Sequence, residues 1–302
     1  MMDDRVATVV GGTGFLGRRV VQALAESGYR VRVGARRPAA VDFGNLRDRL
    51  VPVVVDVRGE QSVREAVAGA AAVVNAVSLY VEKDGLTFDA IHVEGAERVA
   101  RCARVAGVER LIHVSGIGAD ADSRSPFVRA RARGEEAVRK AFERATLVRP
   151  SVMTACDDAF LTSLEVVTRL PVVPLFGHGD NRLQPAYVND VAAALARLAE
   201  RADSRGRLFE LGGGRTYTYR EAVQVVMSHL GRNRVLLPVP FAFWRGLVRV
   251  FGLLPNPPIT RDQLILLEAD NIVGSNASTF SDLGMQPRTF ESVVQECFPR
   301  SV

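Results

Sequence analysis

Seven residues near the start of the chain, Gly11-Gly12-Thr13-Gly14-Phe15-Leu16-Gly17, constrain the fold more than any other feature. They follow directly on an apolar, β-branched run over 5–10. They lead into a segment, 15–27, in which Leu16, Val20, Val21 and Leu24 recur at the spacing of one buried helix face. Strand, glycine-rich turn and helix, in that order, make a device for holding phosphate. Gly11 permits a tight turn, Gly14 lets the backbone approach a pyrophosphate with no Cβ in the way, and Gly17 lets the helix lie close to the strand. The helix N-terminus then offers N–H groups and a partial positive charge to the anion. The same string could serve as a ligand-free turn, but its position between a strand and a helix favours a dinucleotide.

The rest of the first half repeats the alternation. Short apolar runs at 29–35, 50–55, 72–76, 110–114 and 146–149 read as strands. Helical patterns cover 88–106 and 125–142, and Ser62-Val63-Arg64-Glu65 reads as a capping box opening another helix. Strands that are apolar throughout are buried on both faces, which predicts a parallel sheet covered by helices on either side, the doubly wound α/β (Rossmann) fold. The second half is less regular. Asn189-Asp190 is expected to cap a helix over 191–200, and a strand over 208–211 precedes Gly212-Gly213-Gly214. Thr218-Tyr219-Arg220-Glu221 forms a capping box, Thr260-Arg261-Asp262-Gln263 starts a further helix, and Asp157-Asp158 reads as helix capping. Pro255, Pro257 and Pro258 mark a turn. The predicted organisation is a Rossmann domain over 1–150, with 184–212 returning to it, and a smaller mixed C-terminal lobe from 151–183 and 213–302.

Composition removes several function classes. All but two of the 39 basic residues, Lys83 and Lys140, are arginines, and the net charge of +5 is spread along the chain, which argues against a nucleic-acid surface. No apolar stretch reaches the length of a membrane span, and no basic start followed by an apolar run marks a signal peptide, so a cytoplasmic location is expected. Cys102, Cys156 and Cys297 are few and far apart; neither a disulfide framework nor a metal cluster is expected, and a reducing compartment fits. His92, His113, His178 and His229 lack ligand spacing, so no metal site is expected.

The second strand speaks to the choice of cofactor. An NAD-selective site carries an acid at its end to hold the ribose 2′-OH. Here the strand runs into Arg36-Arg37, with no acid until Asp42. Two guanidinium forks suit a 2′-phosphate, and Arg18 and Arg19 stand close in sequence. The expected cofactor is NADP(H), with NAD(H) less favoured. Beside Gly11, Thr13, Gly14, Phe15, Leu16 and Gly17, the expected contacts are Asp56 and Val57 next to the adenine and Ala76 and Val77 on the adenosine side.

At this point the chain resembles the extended, atypical short-chain dehydrogenase/reductase superfamily. The glycine spacing, Asp56-Val57, Ser115 after the fifth strand and Arg149-Pro150-Ser151-Val152 after the sixth carry the resemblance. The phrases over 125–135, 184–191, 258–263 and 282–287 narrow it: the chain is similar to the NADPH-binding, dehydrogenase-like accessory subunit of respiratory complex I and its bacterial relatives. The resemblance implies cofactor contacts at Ser115, Arg131, Pro150 and Val152. In active members a Ser, a Tyr and a Lys four residues after the Tyr share the proton and hydride chemistry; here those positions hold Ser115, Phe127 and Arg131. Phe127 has no ionisable proton and cannot act as acid or base. Two readings follow. In one the protein holds NADP(H) without turnover and supports a membrane-associated redox or quinone-related assembly. In the other it is an NADPH-dependent reductase or epimerase acting on a quinone, an isoprenoid or another apolar substrate. Tyr80 would then be the substitute acid, with Tyr187 a weaker candidate. The segment 241–254, with Trp244, Arg245 and Arg249, reads either as a helix packing on its own lobe or as one lying on an anionic membrane or a membrane complex. The resemblance favours the latter and implies a peripheral place on the inner face of the membrane.

Overall fold

The computed structural model describes residues 5–38, 44–83, 85–251 and 259–299. The first half runs β1 (Val6–Val10), α1 (Gly17–Glu26), β2 (Arg30–Ala35), β3 (Leu50–Val54), α2 (Glu60–Val67) and β4 (Ala72–Asn75). A π-helical stretch, Asp89–Gly95, leads into α3 (Ala96–Val105), β5 (Arg110–Val114), α4 (Pro126–Ala141) and β6 (Thr146–Pro150). There follow β7 (Met153–Thr154), α5 (Ala159–Val167), β8 (Val172–Phe176), β9 (Arg182–Leu183), β10 (Ala186–Tyr187), α6 (Val188–Glu200) and β11 (Leu208–Leu211). The chain continues through β12 (Tyr217–Thr218), α7 (Tyr219–His229), β13 (Val235–Val239), α8 (Phe241–Phe251), α9 (Arg261–Leu267) and α10 (Phe290–Cys297).

The main sheet has seven strands in the order β11-β6-β5-β4-β1-β2-β3. The pairs β1–β2, β1–β4, β2–β3, β4–β5 and β5–β6 are parallel, as apolar strands at the centre of a sheet predict, but the edge strand β3 departs from the expectation of burial on both faces: none of its residues is fully buried and Val54 is exposed. Every residue of β4 is buried. Helix α1 buries Val20, Val21 and Leu24 and packs against α6; the Tyr29 hydroxyl donates to Ala199 O at 3.2 Å. Helices α2, α3 and α4 form a second helical layer, where Val63, Ala66, Val99, Ala100 and Val138 share one apolar core.

The chain divides into two compact units. The first comprises 1–150, 188–210 and 276–285; the second comprises 151–187, 211–275 and 286–302. Segment 184–187 thus falls in the second unit and 276–285 in the first, where Glu210 N donates to Ser278 O at 2.8 Å. In the second unit α5, α7 and α10 close over Leu161, Leu164, Leu175, Tyr217, Val223 and Phe290. Its three two-stranded sheets are β10–β7, β12–β9 and β13–β8.

Several local expectations hold. Asp158 caps α5, and Thr218 with Glu221 and Thr260 with Gln263 form complete capping boxes. Ser125, expected only as the first residue of a helix, proves to be the cap of α4. Others are corrected. Helix α2 begins at Glu60 after Gly59; Ser62 caps nothing, and its hydroxyl instead donates to Asp56 O at 3.0 Å and Gly59 O at 2.9 Å, tying the end of β3 to the helix. The helix expected over 88–106 opens as a π-helix, and Gly95 at the junction lies so close to Val57 that a Cβ would come within 2.8 Å of Val57 Cγ2. Helix α6 starts at Val188, which places Asn189 and Asp190 inside its first turn rather than before it. No disulfide framework is expected of the three cysteines, yet Cys156 and Cys297 form a disulfide across 141 residues, because α10 folds back beside the loop that enters α5. Cys102 is buried and free. Asp42, Leu254, Pro255, Pro257 and Pro258 lie outside the described residues.

Candidate dinucleotide site

The phosphate turn starts where β1 ends. Gly11 and Gly12 N–H both donate to Gly34 O, at 2.8 and 2.9 Å, and Gly14 N–H closes back onto Gly11 O at 3.0 Å. Gly11 has φ +86°, a left-handed conformation that a side chain would strain. A Cβ on Gly17 would sit 2.0 Å from Gly11 O, so only glycine allows α1 to start this close to the strand. A Cβ on Gly14 would meet only Gly11 O, at 3.2 Å; the face above it is open. The N–H groups of Thr13, Phe15 and Leu16 have no acceptor among the described residues, and no side chain caps α1. An open cradle with unspent donors at a helix N-terminus fits a pyrophosphate. Arg19 lies on the turn: its guanidinium donates to Phe15 O at 2.7 Å and stacks on the Phe15 ring at 4.6 Å.

The adenosine end is built by the strands beside β1. Arg36 and Arg37, which follow β2, are exposed. Asp56, two residues beyond β3, is held by Arg58 through a 2.6 Å Nη2–Oδ2 contact, and this keeps its carboxyl below the usual range. Val57 is buried under the π-helix, and Ala76 backbone passes about 3 Å from the Cβ position of Gly11. Val77 N–H is bonded to Asn75 Oδ1 at 3.3 Å.

Beyond the C-terminal ends of β4 and β5 the structure brings Ser115, Phe127, Arg131 and Tyr80 together. Ser115 is buried, and its hydroxyl has no hydrogen-bond partner among the described residues. The Phe127 ring packs edge-on against Phe88 and His92, each 5.5 Å away, and 5.6 Å from the Tyr80 ring. Arg131, one helical turn on, lays its guanidinium 4.7 Å over Phe127 and 6.0 Å from Tyr80 and donates to Ser78 Oγ at 3.3 Å. Its Nε is buried without a partner among the described residues. Burial lowers the pKa of Arg131, with the Tyr80 phenol and the Glu135 carboxylate acting against it. The unpaired Ser115 hydroxyl and the Nε of the Arg131 cation fit the ribose hydroxyls and the carboxamide of a nicotinamide nucleotide, since buried polar groups are rarely left unpaired. Gly116 makes the arrangement possible: a Cβ there would fall 2.0 Å from Arg131 Nη1.

Sequence reasoning missed the supports of this end. The π-helix carries His92, whose Nε2 lies 3.2 Å from Leu79 N and 2.9 Å from Leu79 O, fixing the loop that bears Tyr80. His113 sits beside Asn75, Nδ1 to Nδ2 3.3 Å. Burial depresses both imidazoles to about 4, so both are neutral at pH 7. Glu135, one turn after Arg131, is almost fully buried and accepts two hydrogen bonds of 2.8 Å from Arg149, which also contacts Glu210 at 3.3 Å. The fork raises the pKa of Arg149. The Arg149-Pro150 signature is therefore a buried ion pair as well as a strand end.

Other expected residues lie elsewhere. Val152 belongs to the second unit, where its N–H donates to Asn271 Oδ1 at 2.8 Å. Tyr187 is buried in that unit with its hydroxyl on Glu296 at 3.0 Å. Of the two readings for 241–254, Trp244 fits the one in which the helix packs on its own lobe: its Nε1 donates to Leu175 O at 3.1 Å and its ring lies 4.5 Å from Phe176. The exposed residues of α8 are Ala242, Phe243, Arg245, Gly246, Arg249 and Val250, and Arg245 is paired with Glu268 at 2.6 Å. Among the described residues no helix is long and apolar enough to cross a membrane, and no cluster of His, Cys, Asp and Glu could hold a metal ion.

Comparison with known proteins agrees with this geometry. Residues 11–201 match the NAD(P)H-binding family model. The chain is 36% identical over 298 residues to the mitochondrial NADH dehydrogenase (ubiquinone) 1 alpha subcomplex subunit 9 of Arabidopsis thaliana, covering 93% of this chain and 74% of that protein. It is 33% identical over 260 residues to the ceramide reductase of Caulobacter vibrioides, covering 84% of this chain and 80% of that protein. Among solved structures, the NADPH-dependent quinone oxidoreductase of Escherichia coli complexed with NADPH superposes with a TM-score of 0.75 at 20% identity, covering 96% of this chain and 99% of that one, which shows a shared fold. On the family-model match over residues 11–201 and on 36% identity across 93% of its length, the chain belongs to the NAD(P)H-binding family and, within it, to the family of the complex I alpha subcomplex subunit 9.

Proposed function

We propose that this protein binds NADP(H) in preference to NAD(H), keeps it as a structural nucleotide, and supports a membrane-associated redox assembly, as the names of its complex I relatives suggest. One observation carries the reading: the place of the family's tyrosine holds Phe127, with Arg131 stacked on its ring. The pair retains a cation for the ribose and forms a rigid face, but has no proton to exchange. The exposed Arg36 and Arg37, with no acid at the end of β2, support the choice of NADP(H). The purified protein should bind NADPH with a raised melting temperature and leave it unoxidised when a water-soluble benzoquinone is added. Rapid loss of the NADPH absorbance would overturn the non-catalytic reading.

Tyr80 favours a second reading. Its ring is 59% exposed, stands 5.6 Å from Phe127 and shares Arg131 with it, so a phenol from another element reaches the neighbourhood of the missing one. Bound NADPH would supply a hydride to an apolar carbonyl substrate such as a quinone. Tyr80 would give the accompanying proton to the substrate oxygen and recover one from solvent. If oxidation is seen, Tyr80→Phe should lower its rate by roughly 100-fold; an unchanged rate would exclude Tyr80.

For the membrane contact, the stripe Phe243, Arg249 and Val250 on α8 is the surface we assign to an anionic bilayer or a membrane protein. Flotation with anionic vesicles should fall when Phe243 and Arg249 are both replaced by Ala. An unmodified protein that never floats would remove the bilayer from this reading.

A further inference from the structure

Three cations and one carboxylate gather where β2 and β3 end. Arg36 and Arg37 leave β2, while Asp56 and Arg58 lie just beyond β3. The strands run in register, Ala35 beside Val54, and Val55 N–H donates to Ala35 O at 2.9 Å, so the two exits lie side by side. Arg36 makes no hydrogen bond to another described residue, yet it is near enough for its charge to help lower the Asp56 pKa. Asp56 is occupied by Arg58. Its Oδ1 accepts from Arg58 backbone N at 2.9 Å and from Nε at 3.0 Å, and its Oδ2 accepts from Nε at 3.1 Å and Nη2 at 2.6 Å.

A carboxylate at this end opposes a 2′-phosphate in two ways. It repels the anion, and it competes for the guanidinium that should bind it, because an arginine fork pairs as readily with a carboxylate as with a phosphate. Without Arg58, the nearest cation left for Asp56 among those at this end is Arg36. The Asp56 backbone is meanwhile pinned independently of Arg58, through Asp56 N–H to Ser62 Oγ at 3.2 Å and Ser62 Oγ–H to Asp56 O at 3.0 Å.

We propose that Arg58 is a specificity-determining residue: by holding Asp56 in a forked ion pair it leaves Arg36 free to bind the 2′-phosphate. The inference rests on the NADP(H) reading above. Arg58 need not touch the nucleotide; it acts through Asp56, and its loss is repaired by removing the charge it masks.

The test is the ratio of NADPH to NADH affinity, measured by titrating each nucleotide into the full chain and into Arg58→Ala, Asp56→Asn and the double variant. The parent should prefer NADPH. Arg58→Ala should reduce that preference by about tenfold, the scale of one charge-assisted hydrogen-bond pair, mainly through weaker NADPH binding. The double variant should recover the parent ratio to within about threefold, a rescue that a merely structural role for Arg58 would not give. A parent that prefers NADPH, with an unchanged ratio in Arg58→Ala or no recovery in the double variant, overturns this inference alone. A parent with no preference for NADPH overturns the cofactor reading and this inference with it.

Discussion

At the scale of single residues, Gly116 and the two buried histidines make the sharpest statements. Because a Cβ on Gly116 would meet Arg131 Nη1, the far end of a side chain, Gly116→Ala should displace the guanidinium and spare the backbone. NADPH affinity should fall by about tenfold, the worth of one hydrogen bond to a charged group, while the melting temperature without nucleotide stays nearly constant; equal affinity would separate Arg131 from the ribose. His92 and His113 are held at about 4 in the folded chain against 6.5 when exposed. As pH falls from 6.5 toward 4 the unfolded chain takes up protons that the folded chain refuses, so stability is full at neutral pH and is lost on acidification. Urea midpoints should drop between about pH 7.5 and pH 5.5, and His92→Gln should flatten the drop. An unchanged slope in that variant would mean that His92 is not the group responsible.

Among elements, those with strong periodicity were legible. The β1–turn–α1 unit, the parallel strands and the caps at Asp158, Thr218 and Thr260 all follow from short-range chemistry that a sequence displays. The π-helix over Asp89–Gly95 was not, because its apolar pattern also fits an α-helix and its cause is tertiary: Gly95 against Val57, and Gly134 against His92 O, where a Cβ would fall 2.0 Å away. Ser62 looked like a cap because Glu65 follows at the right interval, yet its hydroxyl serves the end of β3. In the site, Ser115, Phe127 and Arg131 could be placed from motif spacing, whereas Glu135 and Arg149 could not be recognised as partners with thirteen residues and a strand turn between them. The Cys156–Cys297 bond was hidden for the same reason. It ties the last turn of α10 to the entry of α5, so reduction should lower unfolding stability by about 2–4 kcal/mol, typical of a native disulfide. Urea midpoints with and without dithiothreitol test this, with Cys156→Ser as a variant indifferent to reductant; identical midpoints in the parent would show that the bond contributes nothing.

Across the whole molecule, ligand and fold are linked. A nucleotide that binds only the folded chain stabilises it by about 2.7 kcal/mol at a hundred times its dissociation constant. The melting temperature should therefore climb steadily with NADPH concentration, whether or not chemistry follows. Such a staple suits a first unit assembled from three separate stretches of chain.

That assembly also sets a timetable for synthesis. The nucleotide turn leaves the ribosome early, but α6, which covers α1, and the stretch 276–285 beside β11 emerge only later. At translation rates of roughly 5–20 residues per second, a nascent chain carries α1 without its α6 partner for many seconds. Throughout that interval the growing polypeptide depends on chaperones or on its own earlier strands for shelter, and a ribosome stalled before residue 188 releases a product that cannot complete the first unit.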